Sequence, residues 1–192
     1  MRAAFAAIAI AFCGQQACAD EVSIRDLSGA RIDANWFRYI NTRFGLAVDI
    51  PTRGYKYEVP VNSSGLTLSS PREEIVITLY AHWVVNVFEA ANNDVQRTIA
   101  HLFDNAIAET LHKNGTVDYS ARKEEFYVMS GHFGNSIYYE RLIVSSRWPA
   151  IFNSLRIFYL KNMQKDLDLV VTRMSNTLTA TCKGEEGPAF IK

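Results

Sequence analysis

A chain whose apolar residues recur every second position, then at helical spacing, then every second position again, and finally at helical spacing can satisfy that order only as a sheet with helices laid on it. Phe44, Leu46, Val48 and Ile50 alternate with Gly45, Ala47 and Asp49 until Pro51, which has no N–H for a ladder. This alternation predicts a strand with one core face. Tyr55, Tyr57 and Val59 repeat the pattern, as do Leu66 and Leu68 after the turn-forming Asn62-Ser63-Ser64-Gly65. Glu74 to Val85 is a longer β-rich run, with Ile75, Ile77 and Leu79 on one face and Val76, Thr78 and Tyr80 on the other. It predicts a central strand covered on both sides.

The period then lengthens. Val95, Ile99, Leu102, Phe103, Ala106 and Leu111 recur at steps of three and four, with Asn92, Asn93 or Asp94 as cap and Gly115 as a left-handed stop. Burying such side chains is worth roughly 1.5 to 3 kcal/mol each before entropy, far more than helix propensity, so the stripe belongs on a sheet. Strand patterning returns at Thr116 and Phe126 to Met129. A turn around Gly131 to Asn135 follows, and then Ile137, Tyr139, Arg141 and Ile143 alternate against Tyr138, Glu140, Leu142 and Val144. Leu155, Ile157 and Tyr159 make a last strand after Pro149. Asp166 is placed to cap a second helix carrying Leu167, Val170, Val171, Met174 and Leu178. The pattern predicts an α+β domain over residues 36–182, a mainly antiparallel sheet packed between two amphipathic helices as an α/β/α sandwich. Residues 20–35 and 183–192 read as flexible ends.

The residues that pattern these strands also carry a resemblance. Tyr39, Asn41, Arg43-Phe44-Gly45 and Asp49-Ile50-Pro51, then Gly65-Leu66-Thr67-Leu68-Ser69-Ser70, then Ser130-Gly131 and Gly134 ahead of Tyr138-Tyr139-Glu140-Arg141, resemble small exported alphaproteobacterial proteins similar to the PsbP-like α/β/α sandwich. The resemblance spans Trp36 to about Ala180. Its motifs are structural: a proline ends a strand, glycines make turns and aromatics fill a core. It implies a fold whose members mostly act as binding or assembly factors, and it carries over no site residue.

The first residues read as an export leader. Arg2 is followed by an apolar run from Ala3 to Phe12 and then by Ala17-Cys18-Ala19, with small residues where a signal peptidase reads, ahead of Asp20-Glu21. Cleavage is expected between Ala19 and Asp20, delivering the protein to the periplasm or the medium. Lipidation at Cys13 is disfavoured by the bulky Phe12 before it. The apolar run is about ten residues, half of what a membrane-spanning helix needs. Of 20 basic and 20 acidic residues, cleavage removes only Arg2, leaving a single net negative charge and no field that attracts nucleic acid. It also removes Cys13 and Cys18, so Cys182 remains alone and an internal disulfide is excluded. Roughly 170 residues suffice for one core without such staples.

No motif here carries chemistry outright. His101 and His112 lie on the polar side of the first helical stripe but about 16 Å apart, too far to share a metal, and Asn105 shares that solvated face. No metal and no cofactor is expected, because the sequence also lacks a phosphate-cradling glycine loop. His132, flanked by Ser130 and Ser136, could act as a base beside a hydroxyl, but no nucleophile elbow or orienting acid accompanies it. Glu73-Glu74 and Glu124-Glu125 are neighbours that point apart on a strand. Aromatic residues are the compositional excess. Tyr138 and Trp148, exposed beside Arg141, would form an aromatic and basic patch of the kind found in protein interfaces. The expected function is therefore a non-enzymatic binding or assembly module whose partner is an envelope protein or complex. The alternatives are a secreted hydrolase built on His132 and a small-ligand-binding protein.

Overall fold

The computed structural model describes residues 19–144 and 151–180. The residues expected to form a leader up to Cys18, the interface candidate Trp148, Cys182 and the C-terminal residues 183–192 lie outside the described residues. An eight-stranded antiparallel sheet dominates the chain, in the order β1-β5-β6-β7-β11-β10-β9-β8. Its strands are β1 (Ala19–Val22), β5 (Lys56–Pro60), β6 (Gly65–Ser69), β7 (Ile75–Trp83), β8 (Tyr119–Arg122), β9 (Phe126–Phe133), β10 (Ser136–Val144) and β11 (Ile151–Leu160). A second antiparallel sheet contains β2 (Gly29–Arg31), β3 (Trp36–Asn41) and β4 (Leu46–Pro51). The helices are α1 (Val85–Ala90), α2 (Val95–His112) and α3 (Gln164–Thr177).

The two faces of the large sheet are covered by different things. One face presents Ile75, Ile77, Leu79, Leu155, Ile157, Leu66 and Leu68 to Leu46, Val48 and Ile50 of the small sheet and to Leu167, Met174 and Leu178 around α3. The opposite face presents Tyr127, Met129, Tyr138, Leu142 and Phe152 to Ile99, Leu102, Phe103 and Ala106 of α2. The α+β class and the large antiparallel sheet are as expected, but the sandwich between two helices holds only in part: α3 shares its layer with a three-stranded sheet that the periodicity did not separate from the main one, and a short third helix, α1, follows β7.

Several local expectations change for identifiable reasons. The segment read as a flexible start carries β1, paired to β5, and β2, paired to β3; these are short edge strands with too few residues to show a period. β4 is buried along its whole length, because Asp49 and Ala47, on its second face, are covered by α3 and its C-terminal extension; the Ala47 and Thr179 backbones exchange hydrogen bonds. β7 is central, yet only Ile75, Ile77, Leu79 and Ala81 are buried; Val76, Thr78, Tyr80 and His82 stay partly open because α2 lies over β8 to β10. Asp94 caps α2, accepting from the Arg97 backbone N–H at 3.1 Å. Its C-terminal left-handed residue is Asn114, at φ 59°, and Gly115 is required for space, since a Cβ there would lie 2.5 Å from the Phe133 ring. Asp166 sits inside the first turn of α3; the helix is entered through a 3-10 turn at Lys161–Met163. The β9–β10 hairpin turns at Gly134-Asn135, so Gly131 and His132 are strand residues.

Candidate functional site

Two polar clusters mark the large sheet, one on each face. On the α2 face, the registers of β10, β11 and β7 place Glu140 opposite Arg156 and Arg156 opposite Thr78. Arg156 Nε lies 2.9 Å from Glu140 Oε2, and the Tyr127 hydroxyl donates to Glu140 Oε1 at 2.5 Å. Burial raises the Tyr127 pKa, and the adjacent Glu140 charge and hydrogen bond push it further in the same direction. Burial alone would lower the Arg156 pKa, but the Glu140 carboxylate and its neighbours hold it above the ordinary value. His82 packs beside this cluster, 5.5 Å from the Tyr80 ring, and is pushed below the usual imidazole range by burial and by the Arg156 charge. Arg156 and the Tyr127 hydroxyl both find their partner in the Glu140 carboxylate, so the cluster reads as structural.

The α3 face differs. Strand alternation puts Arg141 there, opposite Val128 of β9 and Leu155 of β11. Arg141 Nη1 donates to the Ser175 carbonyl at 2.7 Å and to its hydroxyl at 3.1 Å, and the guanidinium lies 5.0 Å from the Phe126 ring centroid. Its Nε is buried and makes no hydrogen bond. Among the described residues, no carboxylate lies within ion-pair distance of this guanidinium. Around it α3 stops short of the sheet edge. Phe126, Val128, Ser130, Tyr139 and Ala121 are left half-buried, and Tyr119 on the outermost strand is 57% exposed.

The sequence candidates separate accordingly. Tyr138 is not part of an exposed patch: at 3% exposure it is packed under α2 between Phe133 and Phe158, with its hydroxyl donating to the Thr116 carbonyl at 3.0 Å. Burial pushes its phenol up to about 12. Tyr138 and Arg141 are separated by an odd number of residues on one strand, so they face opposite ways. His132 does have an acid: its Nδ1 pairs with Asp118 Oδ2, while the Thr116 hydroxyl donates to the other Asp118 oxygen at 2.9 Å. Asp118 was not legible as a partner, because it reaches His132 only through the β8–β9 pairing. Ser130 shares the His132 face two residues away, and Ser136 is buried at the start of β10. Neither serine forms a hydrogen bond with the imidazole among the described residues. His101 bonds to Asn105 within α2, at 3.0 Å. No cluster of three or more His, Cys, Asp or Glu able to hold a metal occurs among the described residues, and no described helix is long and apolar enough to cross a membrane.

These layers define a PsbP-like fold: a broad antiparallel sheet with α2 on one face and α3 beside a smaller sheet on the other. Among solved structures, the chain is similar to cyanobacterial PsbP (CyanoP) from Synechocystis sp. PCC 6803, with a TM-score of 0.54 and 6% identity over 77% of this chain and 94% of that one. At that identity the likeness concerns the fold alone. No family model and no curated protein matches the chain.

Proposed function

We propose that the protein is an exported, non-enzymatic binding module of the bacterial envelope, acting through protein–protein contacts made by the half-open sheet face around Arg141. The observation that carries this reading is Arg141 itself: a guanidinium fixed by Ser175 and Phe126, without a carboxylate partner among the described residues, amid half-buried and exposed aromatic surface. Interfaces are enriched in such arginine and tyrosine anchors. Elsewhere the core is filled, with Leu46, Ile50, Leu68, Ile77, Leu79 and Ile157 fully buried, which leaves little room for a ligand between the sheets. The Asp118–His132 pair favours a hydrolase as the second reading, since an oriented imidazole is half of a catalytic dyad. The Thr116 hydroxyl bonded to that pair donates to the acid, which makes it a support for Asp118 and not a nucleophile.

The test is a photo-crosslinking amino acid placed at Tyr119 and, separately, at Leu111, an exposed position on α2, in the producing cell. The expected result is one partner adduct from position 119 and none from 111, on a protein whose N-terminus is Asp20 and which fractionates with the envelope or medium. Equal adducts from both positions, or an uncleaved chain in the cytosol, would contradict the proposal.

A further inference from the structure

We infer that the surface beside α3 takes an extended protein segment bearing acidic side chains, with a carboxylate seated on Arg141. The inference rests on the binding reading above and adds the chemistry of the partner.

Charge complementarity carries it. Of the arginines that hold the interior of this protein in register, Arg156 is neutralised by Glu140, and Arg38 and Arg173 share Asp49 at 3.1 Å each. Arg141 is the exception among them. Its Nη1 is committed to Ser175, its Nε is covered, and neither the side chain nor its neighbours Val128, Leu155 and Phe126 supply an anion. Asp118, just before the outermost strand, is occupied by His132 and Thr116. Nη2 is the nitrogen of Arg141 left without a hydrogen bond among the described residues, and a charge-assisted bond from it to a carboxylate is strongest where apolar surroundings weaken competition from water. Phe126, Val128 and Ala121 provide those surroundings. They lie on the same side of the sheet as Arg141, in adjacent strands spaced about 4.8 Å apart.

The shape of the surface selects an extended segment. The floor is the run of strands β10, β9 and β8, and α3 borders it through Ser175. In an extended chain residues i and i+2 project to the same side, so an apolar residue over Val128 and an acidic residue on Arg141 can come from one strand-like stretch. A helix laid on the same floor would place those groups on a wider, curved face.

The experiment uses the protein in the form the producing cell accumulates and two synthetic probes: acetyl-Val-Ser-Glu-Ser-Val-Ser-Glu-amide and the same peptide with glutamine in place of both glutamates. Binding is followed by NMR, reading the Arg141 Nε–H resonance and the amides of β8 to β10. The expected result is a saturable shift of the Arg141 signal with the glutamate peptide and at least tenfold weaker binding of the glutamine peptide. Arg141→Gln should bind the two peptides equally weakly. Equal affinity for both peptides, shifts that map away from β8 to β10, or no binding of either peptide overturns the inference. The wild-type comparison of the two peptides needs no variant to fold. If the peptides fail while crosslinks from Tyr119 persist, the partner chemistry is wrong and the binding face stands; if both fail, the functional reading falls with it.

Discussion

Arg156 and Arg141 stand on neighbouring strands of one sheet, one register step apart, and face opposite sides of it. Arg156 meets Glu140 across the strand pair, and Tyr127 satisfies the same carboxylate from β9, so its charge has a counter-charge inside the fold. Arg141 meets Leu155 and Val128 across its two strand pairs, and among the described residues its fixed contacts are a helix-end carbonyl, a hydroxyl and a ring. The difference follows from which residues the register delivers opposite each arginine. Where an acid is delivered, removing it leaves an uncompensated charge, and the fold depends on the pair; where none is delivered, the charge remains available to a partner.

That contrast can be broken first at Glu140. Glu140→Gln should destabilise the protein by about 3 kcal/mol in urea unfolding, since breaking a buried ion pair costs about 3 to 5 kcal/mol and the partly exposed Arg156 brings the effect to the low end. A loss below about 1 kcal/mol would mean that Arg156 is solvated and the two arginines are alike. Asp49→Asn should cost about 2 kcal/mol, because one carboxylate serves both Arg38 and Arg173 in charge-assisted hydrogen bonds; calorimetry would register it as a lower Tm. Arg141→Gln should cost about 1.5 kcal/mol by the same urea assay, because it loses charge-assisted hydrogen bonds to Ser175 but no ion pair. The smallest effect concerns pH. His82 has its folded pKa held below the ordinary value by burial and Arg156, so the unfolded chain takes up the proton first as pH falls. Its contribution is therefore intact above about pH 6.5 and is lost as pH falls toward the folded pKa. His82→Gln should flatten the acid side of the stability curve below about pH 6.5, and an unchanged curve would show that His82 is solvated in the folded protein.

The sequence made the main sheet legible because alternation over β6, β7, β10 and β11 is long enough to establish a period. The stripe of α2 was legible from Val95 to Ala106 because its large residues recur at steps of three and four, but Leu111, expected to extend it, is exposed, since the step of four from Ala106 falls on the buried Thr110. The short strands β1 and β2 were not, since three or four residues carry no usable period. Nor was β3 separated from the main sheet, because alternation states that a strand has two faces and is silent on which strand it joins. The same property explains the candidate site. Alternation alone places Tyr138 and Arg141 on opposite faces, so a joint patch was excluded in the sequence itself, while the choice of face for each required knowing where α2 and α3 pack. The Asp118–His132 pair and the bond from Arg141 to Ser175 join residues that only the folded topology brings together.

The most direct measurement is the crosslinking yield from a photoreactive residue at Val128, the register neighbour of Arg141, in wild-type and Arg141→Gln backgrounds, with the Tm of both proteins measured in parallel. The account predicts that the partner adduct falls at least tenfold while the Tm stays within a few degrees. An undiminished adduct, or a Tm that collapses as it would after loss of Glu140, would contradict the assignment of Arg141 to contact and not to the fold.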